Sequence, residues 1–142
     1  MNEADTCRML VRPRLEAAGW DGVKHFYSEQ TPFTDGRIIV PGGKPRRLKN
    51  KYSDFLLRYT RDITLGVVEA KSDKRPAGDG LQQVKDCADI LGLKFAYATN
   101  GRSIIEFDFY SASTAAFQAP TRYCATPRVL QQLACVILPD MP

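Results

Sequence analysis

Apolar residues recur with the period of an α-helix in two parts of the chain, and a third helix is predicted from its opening residues. The first helix is predicted over residues 3–18, where Gly19 ends it and Pro13 is expected to kink it. Trp20 follows directly and is expected to pack back against this helix.

Two further helices are predicted downstream. One covers residues 80–91, with Asp79 as its N-cap residue and Gly92 beyond its last turn. The other opens at Thr126–Pro127, because proline is favoured in the first turn of a helix, and it runs to about residue 137.

Four extended segments are predicted as strands in two adjacent pairs: residues 52–59 with 65–71, and residues 94–99 with 103–109. A tight turn at residues 60–62 joins the first pair, and Asn100–Gly101 is typical of a two-residue hairpin turn in the second. The stretch after Trp20 is rich in turn-forming residues, and the basic tract of residues 44–51, which follows an apolar run at residues 38–40 and Pro41–Gly42–Gly43, is interpreted as a mobile loop. The order of helix, strands, helix, strands and helix indicates an α/β (α+β) fold in which helices flank a central mixed β-sheet.

Composition is typical of one soluble domain with a single core, since 44% of the 142 residues are hydrophobic and 25% are charged. We predict this domain over residues 1–138 and interpret residues 139–142 as the start of a linker. The net charge of +4 permits a polyanionic partner without requiring one. No segment approaches the roughly 20 apolar residues that span a bilayer, so a cytoplasmic location without membrane association is expected.

The scattered cysteines and the single histidine exclude the usual zinc patterns. Four cysteines occur without a C-x-x-C pair, and we interpret them as buried thiols. His25 is assigned no catalytic role. The chain has no G-x-x-x-x-G-K-[ST] motif, so ATP is expected to act only through a motor domain outside it.

Two carboxylates are predicted to converge on the first strand pair. If the turn is centred near Arg61–Asp62, antiparallel pairing places Asp54 opposite or beside Glu69. Like charges at this distance repel unless a cation lies between them, and carboxylate oxygens suit Mg²⁺ or Mn²⁺. Lys71 projects from the same face as Glu69, because residues two apart share a face of a strand. A cation and an ammonium group together supply what phosphodiester hydrolysis needs: an activated water and neutralisation of the developing charge.

The same spacing also fits the polar edge of a solvated hairpin that has no catalytic role. The neighbouring Val67, Val68 and Ala70 make the strand apolar enough to be central, where ionised side chains are rare without a function. This context favours the catalytic interpretation.

The spacing of Asp54, Glu69 and Lys71 resembles the motif of the PD-(D/E)xK nucleases. The surrounding sequence is more specific and resembles the N-terminal nuclease domain of the restriction subunit of type I restriction enzymes. The matching residues are, in chain order, Glu3-Ala4-Asp5-Thr6, Leu15, Gly19-Trp20, Val67-Val68-Glu69-Ala70-Lys71, Gly80-Leu81-Gln82-Gln83, Ala88, Leu91-Gly92 and Phe95-Ala96-Tyr97-Ala98-Thr99-Asn100-Gly101. The resemblance extends from Glu3 to the third predicted helix and implies a PD-(D/E)xK restriction-endonuclease-like core.

The resemblance also implies roles for individual residues. Asp54 and Glu69 are expected to bind Mg²⁺ or Mn²⁺, Lys71 is expected to be the catalytic lysine, and the backbone carbonyl of Ala70 is expected to add a metal ligand. Glu3 matches an acid that in related nucleases helps to hold the metal or its water, although an ordinary acid at a helix start fits equally well.

Gln83 matches the glutamine of a Q-x-x-x-Y motif that follows the catalytic lysine in such nucleases, but Cys87 stands at the tyrosine position. One helical turn separates the two residues, so both can face the site. Gln83 is a candidate to hydrogen-bond a phosphate or a flipped-out strand, and an exposed glutamine without such a role is the alternative.

A basic tract precedes the strand of Asp54 and supplies the candidates for contact with DNA phosphates, Lys44, Arg46, Arg47, Lys49 and Lys51. A solvated loop is the alternative. The resemblance implies double-stranded DNA as the substrate, a helicase or translocase domain in the full-length protein, and modification and specificity subunits as partners. Two other functions stay open: a catalytically weak DNA-binding module with the nuclease fold, and an autonomous repair or mobile-element nuclease.

Overall fold

The computed structural model describes residues 1–33 and 51–118. The third predicted helix, the proposed linker and most of the basic tract lie outside the described residues. Within the described ranges, no helix is both long and apolar enough to cross a membrane.

Six strands form a single sheet, in which their spatial order is the same as their order along the chain. They are β1 (Phe26–Phe33), β2 (Lys51–Thr60), β3 (Ile63–Ala70), β4 (Phe95–Thr99), β5 (Ser103–Asp108) and β6 (Ser113–Gln118). Neighbouring strands are antiparallel except β3 and β4, which run parallel. The sheet is therefore mixed, as predicted.

The parallel pair β3 and β4 lies at the centre of the sheet and is buried on both faces. Uninterrupted apolar runs such as Phe95-Ala96-Tyr97-Ala98 are typical of parallel strands that helices cover on both sides. The connection between the two strands holds a 3₁₀ turn, Ala77–Gly80, followed by helix α3, Leu81–Leu91. Gly92 ends α3 in a left-handed conformation, as the sequence predicts for a helix C-terminus.

The first helical region consists of α1 (Glu3–Thr6) and α2 (Arg12–Ala17), joined by a π-helical stretch, Cys7–Val11. Pro13 has no N–H to donate to the turn before it, which accounts for an irregular stretch at this point. The disturbance predicted at Pro13 thus takes the form of wider helical turns. Trp20 packs back into the core as predicted and is fully buried.

A core cluster lies on each face of the sheet. The cluster on the side of α2 includes Val11, Leu15, Trp20, Phe55, Leu57, Tyr59 and Val68. The cluster on the side of α3 includes Leu56, Val67, Val84, Cys87, Ala88 and Ala96. The alternation of residues 52–59 predicted this division, because successive side chains of a strand point to opposite faces.

β1 lies in the turn-rich stretch after Trp20, where no strand was predicted, and it pairs with β2 at every residue except Gln30. β6 was also not predicted. Both strands are short on buried apolar residues, and none of the side chains described in them is fully buried. Neither segment has the alternating apolar pattern of a half-buried strand. Both are strands because their backbones form hydrogen bonds with a neighbouring strand.

The prediction of Asp79 as the N-cap of the second helix is wrong. Gly80 occupies the N-cap position of α3, and no side chain caps the helix there. The carboxylate of Asp79 instead accepts a hydrogen bond of 3.0 Å from Arg75. The 3₁₀ turn that precedes α3 moves the start of the regular helix beyond Asp79.

The second hairpin turn is centred one residue later than predicted, on Gly101–Arg102. The Asn100 N–H donates to the Ser103 carbonyl across the turn at 3.3 Å. The side-chain Oδ1 of Asn100 accepts hydrogen bonds from the N–H groups of Arg102 and Ser103, at 3.0 and 2.9 Å. Asn100 therefore closes the turn with its side chain, and Gly101 takes the positive φ of +87°.

Gly101 also lies against the first helical region. A Cβ atom added to it would lie 2.8 Å from the Cβ of Leu10 and 3.0 Å from the Cγ2 of Thr6. We expect Gly101→Ala to lower the free energy of unfolding by about 2–4 kcal/mol, because overpacking adds to the strain of a positive φ. Urea denaturation measures this change.

The matched control is Gly92→Ala. Gly92 has a φ of +68° but no atom within 4 Å of the added Cβ, so only the backbone strain applies. This variant is expected to lose about 1 kcal/mol. Equal losses in the two variants would contradict the close packing of the turn on the helix.

Candidate active site

Asp54 lies at the point where β2 separates from β3. The pairing between these strands begins at Phe55 and Val68, one residue further into the sheet. The Asp54 side chain continues the contact, because its Oδ2 accepts a hydrogen bond of 2.8 Å from the backbone N–H of Ala70. Its Oδ1 accepts a hydrogen bond of 3.1 Å from Gln30 of β1. The carboxylate is thus held from both neighbouring strands.

Glu69 lies on β3 beside Asp54, as the predicted register requires, and only 5% of its surface is exposed. Its Oε1 accepts a hydrogen bond of 3.0 Å from Gln83 Nε2. Burial, and then the nearby Asp54 carboxylate, raise the pKa of Glu69 to about 8. Without a cation, this environment therefore favours the protonated form of the Glu69 carboxyl group.

Glu3 joins this pair from the first turn of α1. One carboxylate oxygen from each of Glu3, Asp54 and Glu69 lies within 4.8 Å of the others. Asn2 caps α1 by accepting a hydrogen bond of 2.8 Å from the Asp5 N–H, which fixes the start of the helix next to Glu3. The structure therefore brings together three carboxylates that are far apart in the sequence.

Lys71 follows β3 directly, and its ammonium group points to α3. Its Nζ donates a hydrogen bond of 3.1 Å to Gln83 Oε1. The same carboxamide donates to Glu69, so Gln83 connects the lysine and the buried acid. Gln83 is exposed, but its carboxamide bonds both Lys71 and Glu69, and its contact with a phosphate stays a prediction.

Cys87, one turn beyond Gln83, is buried in the core cluster on the α3 side of the sheet. Both residues were expected to face the site. Gln83 does so, whereas Cys87 faces the core. Ala70 has a buried side chain and an N–H that binds Asp54. The role of its carbonyl as a ligand stays a prediction.

Cys7 and Gly80 border the site, and sequence reasoning assigned neither of them to it. The pKa of the Cys7 thiol is raised to about 12, first by burial and then by the carboxylates of Asp54, Glu3 and Glu69. Gly80 packs its backbone against the stems of two site residues, since an added Cβ would lie 3.4 Å from Lys71 Cε and 3.5 Å from Glu69 Cγ. The spacing of four residues between Glu3 and Cys7 was the available signal for the cysteine.

Lys44, Arg46, Arg47 and Lys49 lie outside the described residues, and only the backbone of Lys51 is described, at the start of β2. Their contact with DNA stays a prediction. His25 stacks on the Tyr59 ring with centroids 4.5 Å apart, which fits a packing residue.

Known proteins share both the sequence and the fold of this chain. No family model matches. The type I restriction enzyme EcoAI endonuclease subunit of Escherichia coli is 36% identical over 112 residues, which make up 79% of this chain and 14% of that protein. A solved fragment described as an HsdR subunit of a type I restriction enzyme from Vibrio vulnificus YJ016 is 46% identical, with a TM-score of 0.82 over 96% of this chain.

The chain is homologous to part of a type I restriction endonuclease subunit. This finding confirms the resemblance seen in the sequence, and the structural match confirms the α/β (α+β) class with a mixed sheet flanked by helices. The chain spans 14% of the length of the Escherichia coli subunit and 26% of the solved Vibrio chain. The similarity therefore concerns one part of these larger proteins.

The pKa of Glu69 predicts how stability depends on pH in the absence of metal. Because the folded-state pKa is raised to about 8, the folded chain binds more protons than the unfolded chain between the ordinary carboxyl pKa and pH 8. The free energy of unfolding is then expected to fall as pH rises through this window, by at most about 1.4 kcal/mol per pH unit. Urea denaturation in EDTA at several pH values measures this slope.

The control is Glu69→Gln, which keeps the shape of the side chain but cannot ionise. We expect this variant to lose the part of the slope that Glu69 contributes and to be more stable than the parent chain at pH 8 in EDTA. Identical slopes in the two proteins would contradict the raised pKa.

Proposed function

We propose that this chain is a metal-dependent endonuclease domain that hydrolyses the phosphodiester bonds of DNA within a type I restriction enzyme. The observation that carries the proposal is the convergence of Glu3, Asp54 and Glu69 within 4.8 Å. The position of Lys71, joined to Glu69 through Gln83, supports it. Homology to part of a restriction endonuclease subunit supports it independently.

The donor set fits a divalent cation such as Mg²⁺ or Mn²⁺. Carboxylate oxygens are the hard ligands that these ions prefer. Oxygens on opposite sides of Mg²⁺ are about 4.2 Å apart, so three oxygens within 4.8 Å need only small side-chain adjustments to share one ion. We propose that Asp54, Glu69, Glu3 and the carbonyl of Ala70 hold the ion. Its chemistry would be to make a water nucleophilic and to offset charge on the phosphate.

The charge balance of the site supports the same conclusion. Two acids lie side by side, one of them buried, and the raised pKa of Glu69 reflects the cost of ionising both. A bound cation would remove this cost, because it compensates the negative charge of both carboxylates. Cation binding is then expected to lower the pKa of Glu69 and to favour loss of its proton.

Lys71 is proposed as the residue that contacts the scissile phosphate and the attacking water. Its ammonium group would neutralise part of the negative charge that develops on the phosphate oxygens. Gln83 accepts a hydrogen bond from this group and donates one to Glu69. We propose that the glutamine thereby keeps the lysine next to the metal ligands and that it binds a phosphate oxygen once the lysine moves to substrate.

The proposed substrate is double-stranded DNA, which the basic tract would contact through its backbone phosphates. A helicase or translocase domain, which would use ATP, and modification and specificity subunits are the proposed partners. Both relatives are much longer than the part that this chain spans, so they have room for further domains. A catalytically weak DNA-binding module would bind the cation without cutting, and an autonomous nuclease would cut DNA without a motor.

Metal binding by the carboxylates is tested with Asp54→Ala. We expect calorimetric titration of Mn²⁺ into the parent chain to show one or two sites per chain, and the variant to bind at least about 10-fold more weakly. The control is Asp62→Ala, which removes an exposed acid from the turn between β2 and β3. Equal affinity in all three proteins would remove the proposed site.

The catalytic role of Lys71 is tested with Lys71→Ala in the enzyme assembled with its partner subunits. Cleavage of DNA is expected to fall by about 10²–10³, the usual effect of losing one well-placed electrostatic contact. Mn²⁺ affinity and ATP hydrolysis should stay near those of the parent enzyme, because the ammonium group is not a metal ligand. The control is Lys74→Ala, an exposed lysine three residues away. Normal cleavage by Lys71→Ala would favour another source of catalysis.

A further inference from the structure

We infer that Gln30 is a positioning residue, which orients the Asp54 carboxylate for the divalent cation. This inference rests on the proposed function and extends it to a strand that the sequence did not predict. Gln30 Nε2 donates a hydrogen bond of 3.1 Å to Asp54 Oδ1. Asp54 is therefore held by Gln30 on one oxygen and by the Ala70 N–H on the other.

The backbone of Gln30 has an unusual conformation, which is the first observation that supports a functional role for its hydrogen bond to Asp54. Its φ is +47°, a left-handed conformation that side chains other than glycine rarely adopt. Among the described residues, Ala112 is the other non-glycine residue with positive φ, and it lies in the turn between β5 and β6, where such values are common. Gln30 instead lies inside a strand, where positive φ disturbs the extended backbone.

The disturbance is confined to one residue. Glu29 pairs with Phe55 and Thr31 pairs with Ser53, so Gln30 lies opposite Asp54 while its neighbours keep the register of the sheet. A strained conformation persists only where the surrounding structure enforces it. Such residues are found most often at functional sites.

Contacts on either side of Gln30 hold the strand in place. Glu29 forms a two-pronged ion pair with Arg12 of α2, with Arg12 Nε 2.6 Å from Oε1 and Arg12 Nη2 2.8 Å from Oε2. On the other side, the hydroxyl of Ser53 donates a hydrogen bond of 3.4 Å to the Thr31 carbonyl. The strand therefore resists relaxation of the Gln30 backbone toward ordinary β geometry.

A carboxamide suits this position chemically. Its N–H donor fixes the rotation of the Asp54 carboxylate without adding a positive charge, so it does not compete with a cation for the carboxylate. Each carboxylate oxygen has further lone pairs, so Asp54 can accept the hydrogen bonds of Gln30 and Ala70 and still bind a metal. An arginine or lysine at this position would also hold the Asp54 carboxylate. Its positive charge would neutralise the carboxylate and so compete with the metal ion.

The test measures Mn²⁺ binding by the full 142-residue chain and two variants at Gln30. Gln30→Gly keeps the positive φ accessible and removes the side chain, and with it the carboxamide that donates to Asp54. We expect its dissociation constant for Mn²⁺ to rise about 10-fold or more, as is usual when a group that orients a metal ligand is lost. Binding at saturating Mn²⁺ should reach the same stoichiometry, since the ligands themselves remain.

Gln30→Lys has similar reach but places an ammonium group beside Asp54. We expect it to weaken Mn²⁺ binding at least as much as Gln30→Gly, because the ammonium group competes with the cation. Ala112→Gly is the matched control, since it relieves the other positive φ at a distance from the site. Thermal unfolding of each variant in EDTA reports on the fold separately, and Gln30→Gly is expected to be at least as stable as the parent chain.

Unchanged Mn²⁺ affinity in Gln30→Gly or in Gln30→Lys, with binding by the parent chain intact, would overturn the positioning role and leave the proposed function standing. Failure of the parent chain itself to bind Mn²⁺ would overturn the proposed function, and the inference with it. A purely structural role for Gln30 predicts a change in stability without a change in metal affinity, so the two measurements separate these explanations.

Discussion

The close approach of Asp54 and Glu69 is the interaction on which the rest of the site depends. Asp54 lies where β2 and β3 separate, and its side chain takes up the Ala70 N–H at 2.8 Å as the strands diverge. Glu69 lies beside it with 5% of its surface exposed. Burial of Glu69, and then the nearby Asp54 carboxylate, make it unfavourable to ionise Glu69 as well as Asp54, and the pKa of Glu69 rises to about 8. A bound cation would offset this cost, which is the electrostatic basis of the proposed metal site.

Four different elements supply the side chains of the site, including the two acids. β2 and β3 carry the two acids, α1 adds Glu3 from its first turn, and α3 adds Gln83. The central parallel pairing of β3 with β4 makes this possible, because the chain must cross over between the two strands and the crossover contains α3. Lys71 lies at the start of that crossover, so the lysine and the helix that holds it come from one continuous segment.

The position of Cys87 explains how a cysteine can replace the tyrosine of the Q-x-x-x-Y motif. Cys87 is buried with Val84 and Ala88 on the face of α3 that packs on the sheet, whereas Gln83 lies at the margin of that face and reaches Glu69 and Lys71. The glutamine thus keeps its place at the site although the tyrosine of the resembled motif is missing. The similarity to type I restriction endonuclease subunits extends well beyond this helix, over 79% of the chain in one relative and 96% in the other.

Sequence by itself determined the features that follow from local periodicity. The turn at Arg61–Asp62 and the alternation around Asp54 were enough to place Asp54 beside Glu69, and the two-residue repeat of a strand put Lys71 near Glu69. Only the tertiary structure decided which distant groups join them. Glu3 lies at the site because the first helical region packs on the sheet. Gln30 lies there because β1 pairs with β2, although β1 has little apolar pattern. Side-chain periodicity encodes which face a residue takes, whereas contacts between distant segments, and the burial that raises the pKa of Glu69, depend on how the whole chain packs.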